Sequence, residues 1–207
     1  METEFILFQT LQDKSNYIDC EALGPFPCQW ENTWLGQGFY FWYYHIELAK
    51  WWGSSRYSKT GYVIHKSICD DLNLCWDLHT GKHQEDFMYW LKKMKSSELL
   101  NSETTVAQVI EFIKNECDDF KYEAIRILGV DSISKSSATK FKMPRINFEN
   151  PLDGEDVKKQ RFFSYFDVIP AIQVCLFNKD ALNRKGFDVV YPENYLKENR
   201  SDTTIYI

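Results

Sequence analysis

"GQGFYFWYYHIELAKWWG", residues 36–53, sets two glycines around Gln37, runs straight into Phe39, Tyr40, Phe41 and Trp42, and then changes period. Strands favour aromatic and β-branched residues, so 39–42 reads as a strand entered through a glycine turn. Ile46, Ala49 and Trp52 then recur at helical spacing, with Gly53 expected to end the helix as its C-cap glycine. The stretch is therefore a strand feeding a helix. For the rings Tyr40, Trp42, Trp51 and Trp52, core packing is one reading and a ligand-facing wall is the other.

Working outward, "FILFQ" (5–9) is a short apolar strand, and residues 11–33 read as irregular, with a turn at "GPFP" (24–27). "GYVIHKSI" (61–68) is a further strand. Two amphipathic helices follow, "EDFMYWLKKM" (85–94) and "TTVAQVIEFIKNEC" (104–117). In the second, Val106, Val109, Ile110 and Ile113 line one face, and Thr105 with Gln108 has capping-box spacing. Strands return at "YEAIRIL" (122–128), "AIQVCLF" (171–177) and "FDVVY" (187–191). Strands at both ends of a helical middle predict an α+β fold with a mixed, mostly antiparallel sheet. The whole of 1–207 is expected to be a single domain, with a helical insertion around 85–117 and a long loop around 130–170. Connections of that length in compact domains are often functional.

Composition narrows the function classes. A chain of 207 residues with 44% hydrophobic and 16% aromatic residues has ample core material for a folded domain. Its net charge of −6 repels phosphate backbones, so broad nucleic-acid binding is disfavoured. The lysines at 135, 140, 142, 158 and 159 read either as a solvated loop face or as a contact for an acidic target. The six cysteines form no CxxC pair and no dense framework, which argues for reduced, packed thiols. No stretch approaches the ~20 apolar residues that span a bilayer, and "METEFILFQTLQDK" is unlike a secretory signal, so the cytoplasm is the expected location.

Two further groupings have competing explanations. "CWDLHTGKHQED" (75–86) places His79 and His83 near Asp77, Glu85 and Asp86, but the intervening "TGK" implies a turn, and solvated loop polarity is the simpler reading; no metal is expected. Cys175 with His45 or His65 would make a nucleophile and base, whereas an apolar strand around Cys175 implies a buried, inert thiol.

The segment "GQGFYFWYYHIELAKWW" also resembles the Gly-x-Gly-x-Tyr-Phe-to-helix segment of the ADP-ribosyltransferase superfamily, especially its poly-ADP-ribose-polymerase-like branch and related bacterial proteins. The resemblance implies NAD as cofactor, with Gly36 and Gly38 permitting close approach, Tyr40 holding the nicotinamide end and Trp51 stacking on its ring. The family's first motif falls on "LFQTL", where Gln9 and Thr10 are the implied cofactor-binding residues and Phe8 takes the place of a histidine. Its third motif, a glutamate on a late strand, falls near "DVIPAIQVCLF". Ala171 stands at the expected acid, Asp167 is the nearest upstream carboxylate, and Gln173 lies on the strand itself. Asp167 and Tyr40 are thus the implied catalytic pair. The implied activity is transfer of ADP-ribose to a macromolecular acceptor, in a toxin or defence role. The alternative is a non-catalytic module of the same fold that keeps the aromatic cleft for a ligand or partner.

Overall fold

The computed structural model describes residues 4–28, 30, 33–128, 145–147 and 165–196. Among them are four α-helices and a mixed, mostly antiparallel sheet, so the fold is α+β. The strands of the main sheet are β1 (Phe5–Gln12), β2 (Phe39–Tyr43), β3 (Tyr62–Cys69), β4 (Cys75–Asp77), β5 (Ala124–Leu128), β8 (Ile172–Leu176) and β9 (Lys185–Tyr191). Their order is β4-β5-β8-β2-β1-β3-β9, with β4 and β5 parallel and the other pairs antiparallel. A separate two-stranded ribbon joins β6 (Arg145–Asn147) to β7 (Tyr165–Asp167). The rest of the 130–170 segment before Tyr165, including the five lysines, lies outside the described residues.

One irregularity of the sheet opens a cavity between its central strands. β1 and β2 pair only at Leu7 with Tyr43 and Phe8 with Trp42. Beyond that point β1 continues to Gln12 against β3, while the start of β2 pairs with β8 from Phe39 to Trp42. The two central strands therefore diverge into a fork. Residues 26–28, 30, 33 and 34 line its mouth and α2 (Ile46–Arg56) packs along β1.

The helices differ from the sequence expectation in informative ways. α1 (Tyr17–Leu23) occupies part of the stretch expected to be irregular. Its side chains are all at least partly exposed, so it carries no apolar stripe to read, and Glu21 ties it to the sheet by accepting the Val189 amide at 2.8 Å. Gly53 does not end α2, which continues to Arg56. A Cβ at Gly53 would sit 2.3 Å from the Tyr62 ring, so this glycine lets the helix pass close to β3. α3 (Gly81–Ser96) and α4 (Val106–Glu116) form the helical middle. The Thr105–Gln108 capping box is present in both directions. Val109, Ile110 and Ile113 are buried, whereas Val106, in the first turn, is exposed. No helix among the described residues is long and apolar enough to cross a membrane.

Candidate functional site

The fork holds a cavity of about 450 Å³, inside the range of about 300–1,000 Å³ common for small-molecule sites. Consecutive residues Gln9, Thr10, Leu11 and Gln12 of β1, and Tyr40, Phe41 and Trp42 of β2, all line it. Side chains alternate across a strand, so a run of neighbours touches one space only where strand edges face it. Phe26, Trp30, Trp34 and Trp52 add rings from the covering segment and from α2, and Gln173 adds an amide from β8. Lys14 and Asn16 stand at the exposed end.

Gln9 closes the apex of the fork. Its Oε1 accepts the Phe26 amide at 2.9 Å, and its Nε2 donates to the Phe26 carbonyl at 2.9 Å and the Tyr40 carbonyl at 3.2 Å. This side chain imitates a strand backbone and fixes the covering segment, so little of its hydrogen-bonding capacity is left for a ligand. Thr10 is used in a similar way, donating its hydroxyl to the Ala49 carbonyl at 2.9 Å and pinning α2 to β1.

Tyr40 presents its ring rather than its hydroxyl. The phenol oxygen accepts the Leu35 amide at 2.7 Å and donates to the Gly36 carbonyl at 2.8 Å. Burial, helped by the neighbouring Cys175 thiol, raises its pKa well above the ordinary phenol value, so it stays protonated. The two glycines serve that turn and the strand after it. Gly36 has φ +86° with open space around it, a conformation glycine adopts without penalty. At Gly38 a Cβ would lie 2.5 Å from both the Cys175 Sγ and the Leu176 carbonyl oxygen. Its close approach is to β8, not to a ligand.

The helix places Trp52 on the cavity wall, whereas Trp51 packs edge-on against Trp42 at 6.0 Å and is not part of the wall. The Thr10–Ala49 bond sets this rotation: Trp52 lies three residues after Ala49 and follows it onto the same face, and a shift of one residue turns a side chain by about 100°. Trp30 and Trp52 lie 5.6 Å apart, and Arg56 covers the outer face of Trp30 at 4.6 Å.

The residues expected to carry chemistry are dispersed. Asp167 sits on β7, opposite Arg145 in the separate ribbon, and does not line the cavity. Ala171 is packed in a core with Phe8, Trp42, Leu48 and Ile64. Cys175 is fully buried, and burial pushes its thiol up to about 12. Two strands separate it from His65 on β3, roughly 14 Å at the usual strand spacing. His83 is occupied locally, its Nδ1 accepting the Asp77 amide at 2.9 Å, and among the described residues no three ligating side chains form a metal site.

What the sequence reading missed is the covering segment. Trp30 and Trp34 stand in "WENTWLGQG", four residues apart and just ahead of the glycine turn, and that spacing was the available signal. Comparison with family models, curated proteins and solved structures finds no match for this chain.

Proposed function

We propose that this chain is an ADP-ribosyltransferase-like binding module that holds the nicotinamide end of NAD in the fork of its sheet without turning it over. The observation that carries the reading is the meeting of an early, a middle and a late segment, through Gln9, Tyr40 and Gln173, at one aromatic-walled cavity. Flat rings such as Trp52 and Trp34 suit a flat, electron-poor ring, and Lys14 at the exposed end suits a phosphate.

Binding is favoured over transfer to a macromolecular acceptor by the placement of Asp167. Cleaving the nicotinamide–ribose bond leaves positive charge on the sugar, and an ionised carboxylate stabilises it only from beside the anomeric carbon. The late strand contributes the neutral Gln173 to the cavity wall, and Asp167 stands on another ribbon.

The test is titration of the purified chain with labelled NAD, following tryptophan fluorescence and nicotinamide release. Quenching without release is the expected result. Trp52→Ala, in a variant that remains folded, should weaken binding by about 1–3 kcal/mol, the scale of stacking one base on an aromatic side chain. Release above background, with or without lysate, would replace this reading with ADP-ribosyl transfer. Absence of any NAD binding would remove it.

A further inference from the structure

The amide of Gln173 is a deeply placed polar group on the cavity wall. Gln173 is only 9% exposed, lies on β8 between Trp42 and Ile127, and lines the cavity. Its side chain has no hydrogen-bond partner among the described residues. Gln9 in the same cavity shows the contrast, with both ends of its amide satisfied by Phe26. The amide atoms reach the cavity and its solvent, so a ligand that displaces that solvent must offer both a donor and an acceptor or leave the amide buried and unpaired.

Resting on the binding function proposed above, we infer that Gln173 is a specificity-determining residue that reads a carboxamide edge on the ligand ring. A primary carboxamide offers a carbonyl to Gln173 Nε2 and an N–H to Gln173 Oε1, so two antiparallel hydrogen bonds form side by side. A methyl ketone of the same shape accepts one bond and donates none. It leaves Oε1 buried and unpaired beside a methyl group, and a site built for two bonds rejects it on that ground. Both molecules are neutral at this position and present the same ring to the tryptophans, so stacking does not distinguish them.

The experiment compares NAD with its acetylpyridine analogue, in which the carboxamide is a methyl ketone, on the wild-type chain and on Gln173→Met. Met has similar length and no hydrogen-bonding amide. Wild type should bind NAD about tenfold or more tighter than the analogue, as expected when a buried acceptor is left unpaired. Gln173→Met should bind the two alike and retain the tryptophan quench. Equal affinities in wild type would overturn the role of Gln173 while leaving NAD binding intact. A preference that survives in Gln173→Met would also overturn it, by assigning the discrimination elsewhere. Absence of binding to either dinucleotide would instead strike the underlying function and this inference with it. Circular dichroism confirms that the variant is folded, and the wild-type pair is decisive by itself if it is not.

Discussion

Two tryptophan clusters in this molecule are built from the same residue types and differ in how they are covered. Around Trp76, Tyr122 stacks at 5.7 Å, Phe87 and Phe120 close the sides, and Met94 of α3 with Val109, Ile110 and Ile113 of α4 belong to the same core. Trp76 is 1% exposed. Around Trp42, the rings of Trp51 and Trp52 come from one helix and the cover includes an irregular segment, whose Trp30 and Trp34 remain 41% and 46% exposed. An amphipathic pair of helices seals a ring cluster because its apolar stripe is continuous, whereas a segment without a stripe leaves ring area over. Ring content alone therefore says nothing of function; the cover decides whether rings become core or wall.

The sharpest way to break this comparison is to empty the sealed cluster. Trp76→Ala should cost about 3–5 kcal/mol of unfolding free energy, the usual scale for deleting a large buried ring, with a matching drop in the urea midpoint. Trp76→Phe should cost much less, since it keeps a ring and deletes an indole N–H that has no partner among the described residues. A small loss in Trp76→Ala would mean that the helices collapse into the gap and that the cluster is not sealed in the sense argued here.

Next in size is a titration that belongs to closed packing and not to the cavity. His65 is fully buried on β3 and stacks flat on Phe187 at 4.3 Å. Burial pushes its pKa from 6.5 down to about 4, outweighing the opposing influence of Glu21, the Tyr17 backbone and Asp188. The folded chain thus resists a proton that the unfolded chain takes up below about pH 6.5. This contribution is intact above pH 6.5 and is lost as pH falls from there through 4. Denaturation at pH 7 and pH 4.5 should differ by about 2 kcal/mol more in wild type than in His65→Phe, which keeps the stacked ring. Equal differences in the two proteins would show that His65 does not titrate in this way.

Much of the sheet was legible because strands β1, β3, β5, β8 and β9 are apolar runs bounded by turn residues, and their ends were placed to within a few residues. The Thr105–Gln108 box was legible because a cap is a local arrangement of two side chains four positions apart at most. The fork was not. Whether β1 pairs with β2 along its whole length depends on Gln9 reaching Phe26, seventeen residues away, and no local pattern encodes that. For the same reason Gly53 reads as a helix stop until Tyr62 is seen beside it, and Trp51 and Trp52 are interchangeable until the Thr10–Ala49 bond fixes the helix rotation. The family resemblance supplied Tyr40 and Gln173, both on the cavity wall, and Trp51 and Asp167, which are not.

The smallest expected effect sharpens the comparison most, because it asks for binding without stability. Trp34 lies on the cavity wall with 46% of its surface exposed, at the start of the turn that Tyr40 clamps through Leu35 and Gly36. Those clamping bonds use the backbone of the turn and do not need the Trp34 side chain. Trp34→Ala should therefore change unfolding free energy by no more than about 0.5 kcal/mol, as for surface substitutions away from caps and networks. If the open ring is wall and not core, the same substitution should still weaken NAD binding by about 1 kcal/mol, the low end for one stacking ring. Measured together on one preparation, the two numbers separate the cases. A loss of stability comparable to that of Trp76→Ala would make the open cluster core after all. Unchanged affinity in a stable variant would move the ligand away from the covering segment and toward Trp52 and β2.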